Sequence, residues 1–233
     1  MSINIKERLR NRELFSQMTS REKLDYIWLY FKWHILLGIV AVAILASSIY
    51  GAINAKEPVL YVGYLNVAVG EELESRLSGG YLTARELDPQ KKELVFYQDL
   101  YLTSDPFATD QEYAYSSRMK VMATITSQQL DMVLMNREAY NLASESGYLL
   151  ELDTLFGDDP EISPLLVSNT VIPEDDDGES IAVTETVVNG LVVTDVPLFR
   201  QAGFSGDVYV GIIVNTPRLS DCASWLTYLV SAE

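Results

Sequence analysis

The residues that most often carry out catalysis are scarce in this sequence. It contains one histidine, His34, and one cysteine, Cys222, so neither a Ser-His-Asp nor a Cys-His arrangement can form after residue 34. A single Cys cannot make an internal disulfide, and one His with one Cys does not suffice for a usual zinc site. The sequence also lacks the motifs of phosphate loops, dinucleotide-binding turns and zinc proteases. These features predict a protein that is not an enzyme and that needs no cofactor.

Carboxylates and aromatic rings are the remaining side chains that suggest a binding function. Acidic residues at 174–179 offer the oxygen ligands that Ca²⁺ prefers, but they lack the alternating spacing of a calcium loop, so a solvated turn is favoured. Carboxylates are numerous enough to form a chance pair for glycoside hydrolysis, and no pair stands out. Six aromatic residues either line a groove for a sugar or peptide or belong to the core: Phe96, Tyr97, Tyr101, Phe107, Tyr113 and Tyr115.

The charge of the chain is divided unevenly between two regions. The formal net charge is -16, from 17 Lys and Arg against 33 Asp and Glu among 233 residues. Residues 1–34 hold seven of the bases and four of the acids, a net charge of +3, so residues 35–233 carry -19. The acidic region is expected to attract cations or cationic peptides. It argues against a nucleic-acid partner, because phosphate recognition uses clustered Lys and Arg.

An apolar stretch separates the two regions. Residues 33–55 contain no Asp, Glu, Lys or Arg, and as a helix these 23 residues span about 34 Å, enough to cross a hydrocarbon core of about 30 Å. The stretch therefore predicts a transmembrane helix rather than a buried core helix. A cleaved signal peptide is the alternative, but more than 30 residues precede the stretch, which favours an uncleaved signal anchor.

The flanks of this stretch predict its orientation in the cell membrane. The seven bases of the first region precede it, so the positive-inside rule places residues 1–32 in the cytoplasm and residues 56–233 outside the cell. Residues 3–18 form either an amphipathic helix on anionic lipid or a mobile tail whose charge fixes the topology. An aromatic belt with a basic residue is expected at the membrane interface and comprises Trp28, Tyr30, Phe31, Lys32 and Trp33.

The region after the apolar stretch shows strand and helix patterns in alternation. Apolar runs predict strands at 59–67, 94–102, 131–136 and 207–215, and helical patterns occupy 71–85, 109–129, 137–146 and 220–230. Cys222 is interpreted as a buried structural thiol of the last helix. Alternation of this kind is typical of crossover connections. The predicted fold class is α/β: a single N-terminal transmembrane helix followed by one extracytoplasmic α/β domain with a mixed, mostly parallel sheet.

A β-hairpin is also expected in this region. The pair Asn189-Gly190 lies between two β-prone runs, 181–188 and 191–196, and Asn-Gly is the strongest short-range hairpin signal because both residues tolerate a positive φ. The sequence therefore predicts a tight turn at this pair.

Three segments of this region carry a recognisable pattern: LDMVLMNREAYNLASESGYLLELDTLF, TDVPLFRQAGF and GDVYVGIIVNTPRLSDCASWLTYLV. Together they resemble the type II extracellular solute-binding proteins. In that family an apolar strand opened by Asp leads into a helix and a GYLLDL-like turn, which Asp131 and residues 147–150 match. Near the C-terminus an apolar strand ending in Asn precedes a helix, which residues 215–229 match. The resemblance implies an exported, membrane-tethered recognition module.

The chain also departs from that family. Its proteins have two lobes around a cleft, and the 178 residues at 56–233 have room for about one lobe or a much reduced pair. The Cys that follows the signal in lipoproteins is missing as well. The resemblance therefore implies a reduced solute-binding-like domain that is anchored by a transmembrane helix instead of a lipid.

The expected ligand-binding residues follow from the sheet. Ligands of parallel sheets sit beyond the carboxyl ends of the strands, and this position selects Asn66, Asp99 and Asn136. If the aromatic residues line a groove, Tyr113 and Tyr115 also contact the ligand. The predicted function is a non-catalytic binding or accessory module for a small solute or cationic peptide, docked on a membrane partner such as a transporter. The alternative is a structural or assembly subunit of a membrane complex without a small-molecule ligand.

Overall fold

The computed structural model describes residues 19–105, 111–172 and 184–232. Predictions that concern residues 3–18, Phe107 and the acidic run at 174–179 lie outside the described residues. The chain forms two compact units, Met1–Ala55 and Lys56–Glu233.

A single long helix, α1 (Ser20–Asn54), occupies the described part of the first unit. Its segment Phe31–Ser48 has a mean hydropathy of 1.8 and is not buried within the structure. An apolar segment that no described residue buries is unlike a core helix, and this one is long enough to cross a membrane. The helix predicted from the apolar stretch is therefore confirmed. Trp28, Phe31, Lys32 and Trp33 are exposed on it.

A six-stranded sheet forms the centre of the second unit. Its strands are β1 (Glu57–Leu65), β2 (Lys92–Leu100), β3 (Met132–Met135), β4 (Leu166–Val171), β5 (Glu185–Val192) and β6 (Tyr209–Ile212). Their spatial order is β2-β1-β3-β6-β5-β4. β1 pairs in parallel with β2 and β3, whereas the β3–β6, β6–β5 and β5–β4 pairings are antiparallel. The sheet is mixed as predicted, but the expectation that it is mostly parallel is wrong, because three of its five strand pairings are antiparallel.

Helices cover both faces of this sheet, and β3 shows how. Its side chains alternate, so that Met132 and Leu134 join one apolar cluster while Val133 and Met135 join the other. The helices are α2 (Glu71–Ser75), α3 (Tyr81–Ala84), α4 (Gln111–Thr126), α5 (Arg137–Glu145), α6 (Asp153–Phe156), α7 (Pro197–Arg200) and α8 (Leu219–Ser231), with a 3-10 turn at Ser163–Leu165. Helices α2 and α8 pack on the first face, and helices α4 and α5 pack on the second.

The helical segment predicted at 71–85 contains a π-helical turn, Arg76–Gly80, that joins α2 to α3. Side chains of α8 bond to this turn: the indole of Trp225 donates to the carbonyl of Leu77 at 3.2 Å, and the hydroxyl of Tyr228 donates to that of Arg76 at 2.9 Å. A Cβ on Gly80 would overlap the Tyr228 hydroxyl. Gly80 thus allows a close contact between this turn and α8, which are far apart in sequence.

The hairpin predicted at Asn189-Gly190 is wrong, because β5 runs straight through this pair. A Cβ on Gly190 would lie 2.7 Å from the Tyr140 ring of α5, so glycine is needed here for packing rather than for a turn. Asn189 is fully buried, where its side chain accepts a hydrogen bond from Tyr140 (2.9 Å) and donates one to Ser144 (2.7 Å). β5 pairs antiparallel with β6 and with β4, and β4 is a strand that the sequence pattern did not reveal.

Candidate functional site

An open pocket of about 590 Å³ lies at the carboxyl ends of β1 and β3. Its walls come from three segments: residues 66–70 after β1, residues 136–138 after β3, and residues 202–208 before β6. The chain leaves β1 for a helix on one face of the sheet and leaves β3 for a helix on the other face, which opens a crevice between the two strand ends. Such a switch in direction is the usual ligand position in open α/β sheets, and the volume is within the range of small-molecule sites.

Two of the predicted binding residues, Asn66 and Asn136, lie together in this pocket. Asn66 has a φ of 57°, and its side-chain amide both donates to the carbonyl of Leu102 (2.6 Å) and accepts from the amide of Leu102 (2.8 Å). Asn136 caps α5 by accepting a hydrogen bond from the amide of Ala139 at 2.9 Å. Both side chains hold the backbone of the pocket walls, and their contact with a ligand stays a prediction.

The other three predicted residues lie outside the pocket. The carbonyl of Asp99 accepts a hydrogen bond from the Tyr113 hydroxyl at 2.7 Å, and the Tyr113 ring stacks on Tyr101 with ring centres 6.0 Å apart. Tyr115 is exposed and lines a separate depression of about 340 Å³ between α4, α5 and the segment after β2. The structure therefore groups Asp99 with Tyr113, places Tyr115 elsewhere, and joins none of them to Asn66 and Asn136.

Two charged residues of the pocket form an ion pair that the sequence pattern did not reveal. Arg137, the first residue of α5, contacts Asp207 with 3.2 Å between a guanidinium nitrogen and Oδ2. The guanidinium lies over the Tyr209 ring, 5.0 Å from its centre, and this ring stacks at 4.7 Å on that of Tyr140. The Tyr209 hydroxyl donates to Asp207 Oδ2 at 3.2 Å. An exposed ion pair therefore rests on a buried aromatic stack.

Both tyrosines of this stack are hydrogen-bond donors at neutral pH. Burial raises the pKa of Tyr140 well above its usual range, with a further contribution from the neighbouring Tyr209. Burial also raises the pKa of Tyr209, and the adjacent Arg137 partly offsets that rise. Neither hydroxyl therefore ionises near neutral pH, so the Tyr209 hydroxyl holds the orientation of Asp207 by donating its proton.

The remaining acidic residue of the pocket wall is Glu138. One of its carboxylate oxygens accepts a hydrogen bond from the hydroxyl of Thr103 at 2.7 Å. The third wall is held in a similar way, since Arg76 donates to the side-chain oxygen of Gln201 at 2.7 Å and the Phe204 ring lies 6.2 Å from that of Phe199. The pocket is thus built from segments that are each tied to the body of the unit.

A second polar cluster lies at the amino end of β3 and is buried. Asp131 is fully buried, and its carboxylate accepts hydrogen bonds from the amide of Tyr61 (2.8 Å), the hydroxyl of Thr216 (2.6 Å) and the guanidinium of Arg218 (3.0 Å). Cys222 is buried beside Thr216, and burial raises the pKa of its thiol to about 12. The thiol is therefore protonated at neutral pH and is not a nucleophile.

Within the described ranges, no group of three His, Cys, Asp or Glu residues is placed to hold a metal ion. No protein-family model, curated protein or solved structure matches the chain. The resemblance to solute-binding proteins therefore stays a prediction, and the functional argument depends on the pocket itself.

Proposed function

We propose that the chain is a single-pass membrane protein whose residues 56–233 form an extracytoplasmic, non-catalytic module that binds a small polar solute. The observation that carries this proposal is the pocket at the carboxyl ends of β1 and β3. It lies where the direction of the crossover connections changes, and oriented charged groups line it. The only His and the only Cys of the chain, His34 and Cys222, do not line it.

The membrane anchor of this proposal is α1. Its apolar segment is long enough to span a bilayer, and the bases of residues 1–34 precede that segment. The charge contrast of +3 before the segment and -19 after it supports a cytoplasmic N-terminus and an outer C-terminal unit. The belt at the cytoplasmic interface would consist of Trp28, Tyr30, Phe31, Lys32 and Trp33.

A membrane-protein partner such as a transporter completes the proposed role, since a tethered binding module needs a recipient for its solute. The alternative is a structural or assembly subunit that uses only protein contacts. An exposed row on α4 favours that alternative, because Tyr115, Met119 and Met122 follow one another at helical spacing and are all exposed.

Thermal unfolding of the full chain in lipid nanodiscs tests the proposed function. The probes are the common protein amino acids, D-ribose, D-glucose, tetralysine and calcium chloride. We expect at least one solute to raise the Tm in a concentration-dependent manner, because a ligand that binds only the folded state stabilises it. Gly206→Leu places a side chain in open space at the pocket wall and should abolish the shift.

Gly79→Leu is the matched control, since its added side chain also meets open space but lies outside the pocket. No shift with any probe, together with co-purification of the full chain with a membrane complex, would overturn the binding proposal in favour of the structural alternative.

A further inference from the structure

We propose that the solute of this pocket is a small zwitterion of the amino-acid type, with its carboxylate on Arg137 and its ammonium group on Asp207. This inference rests on the proposed function and names the chemical class of the solute. The two charged groups are already in contact across the pocket wall, so a ligand whose opposite charges are a few ångströms apart can bond to both at once.

Arg137 is prepared to bind a carboxylate. Its guanidinium is fixed by the ring of Tyr209 below it and by Asp207 beside it, so little side-chain freedom is lost when a ligand binds. One of its terminal nitrogens bonds to Asp207, and the other N–H groups bond to no described residue. Planar guanidinium donors match the two oxygens of a carboxylate. Arg137 also opens α5, whose dipole favours a negative group at this end.

Asp207 supplies the complementary acceptor. Its Oδ2 accepts hydrogen bonds from Arg137 and Tyr209, whereas Oδ1 bonds to no residue in the described part of the chain. Because the tyrosine hydroxyl and the guanidinium hold the carboxylate from one side, Oδ1 is left to accept from an ammonium group. Val67 and Phe204, in the same walls, offer apolar surface to the rest of the ligand.

The charge around the pocket also selects a zwitterion. Among the described residues, its lining contains one base, Arg137, and two acids, Glu138 and Asp207, within a region of net charge -19. An anion would meet long-range repulsion from that region, and a simple cation would leave the donors of Arg137 without a partner. A zwitterion has no net charge, so it avoids the repulsion while bonding to both groups.

Isothermal titration calorimetry on the full chain in nanodiscs tests this assignment. The probes are L-leucine as the first of a series of amino acids, its methyl ester, N-acetyl-L-leucine and D-ribose. We expect an amino acid to bind, and its ester and N-acetyl derivatives to bind at least about tenfold more weakly, since each loses one charge-assisted contact. Binding of both derivatives as tightly as the parent amino acid would overturn the assignment.

Variants locate the two contacts. Arg137→Gln and Asp207→Asn should each weaken binding of the amino acid about tenfold or more, and Arg137→Lys should restore only part of the affinity, because lysine lacks the planar donors. Lys120→Gln and Asp158→Asn make the same charge changes at exposed positions away from the pocket and should leave the affinity unchanged. Equal affinity of Arg137→Gln and the unchanged protein would overturn the role of Arg137.

The failure of this inference is distinguishable from failure of the proposed function. Binding of D-ribose or another neutral solute that Gly206→Leu abolishes, with no amino acid binding, would refute the zwitterion and leave the binding module intact. An absence of binding by every probe would refute both.

Discussion

The two ends of β3 carry the same set of side chains in different surroundings. Each has an aspartate paired with an arginine whose guanidinium lies over a tyrosine ring: Asp131, Arg218 and Tyr61 at the amino end, and Asp207, Arg137 and Tyr209 at the carboxyl end. The side chains of the first ion pair are 26% and 0% exposed for Arg and Asp, and those of the second are 67% and 51% exposed.

The difference shows what burial does to such a pair. Asp131 accepts hydrogen bonds at both carboxylate oxygens from three residues, so no acceptor is left for a ligand. Asp207 uses only one oxygen towards described residues, and its arginine keeps donors that face no described partner. The amino-end cluster therefore ties β1, β3 and α8 together, whereas the carboxyl-end pair is suited to recognition.

The largest expected effect comes from breaking the buried pair. Asp131→Asn keeps the shape of the side chain but leaves the Arg218 charge without its partner, which should lower the free energy of unfolding by about 3–5 kcal/mol. Urea unfolding followed by circular dichroism measures it. Thr216→Val, which removes one donor to the same carboxylate, should cost about 1–3 kcal/mol. If Asp131→Asn lowers the free energy of unfolding by less than about 1 kcal/mol, the buried ion pair is no more structural than the exposed one.

A smaller effect is expected from the aromatic stack below the exposed pair. Gly190→Ala puts a Cβ within 2.7 Å of the Tyr140 ring, which must shift and carry Tyr209 with it. We expect a loss of about 1–3 kcal/mol in the free energy of unfolding. Near-ultraviolet circular dichroism should change as well, because the stacked rings move. Gly206→Ala, whose Cβ meets open space, is the control and should leave both measurements unchanged.

The exposed pair itself should contribute little to stability. Asp207→Asn is expected to change the free energy of unfolding by less than about 1 kcal/mol, because solvent screens the interaction. The same urea unfolding experiment compares it directly with Asp131→Asn. A loss as large as that of the buried pair would show that the carboxyl-end pair is structural, and its role in recognition would lose its basis.

No reaction is expected at the thiol of the amino-end cluster near neutral pH. Burial raises the pKa of Cys222 from 9.0 to about 12, so the folded chain keeps the proton through a pH range in which the unfolded chain loses it. Stability contributed by this group is complete below pH 9 and is lost as the pH rises towards 12. Iodoacetamide at pH 9 should alkylate Cys222 only after unfolding in urea, as read by mass spectrometry. Rapid alkylation of the folded chain would contradict the burial of the Cys222 thiol, because the reagent would then reach it without unfolding.

Much of this architecture follows from apolar runs. The sequence predicts the strands β1, β3 and β6 because each is largely an apolar run. It also predicts the helices that have a clear buried face, because their apolar residues recur at helical spacing. β4 was missed because its residues are only half-buried and polar residues interrupt them, as in LVSNTV. The hairpin prediction at Asn189-Gly190 is wrong because a tight turn and a close contact with a helix both require glycine. Only the folded structure shows which of the two applies.

The candidate site was predictable only as far as the rule for strand ends reaches. That rule found Asn66 and Asn136, which lie directly after β1 and β3, and the same rule extended by one residue would have included Arg137. Asp207 follows Arg137 by 70 residues, and its contact depends on β6 lying antiparallel beside β3. No local pattern contains that pairing, so the ion pair emerges only from the assembled sheet.

The contact between the π-helical turn and α8 has a consequence for the order of folding. The ribosome adds Trp225 148 residues after Leu77, to whose carbonyl its indole bonds. Until that late segment arrives, one face of the sheet lacks the helix that contributes Trp225, Leu226 and Leu229 to its apolar cluster. The apolar cluster on that face therefore cannot close until translation has passed Leu229.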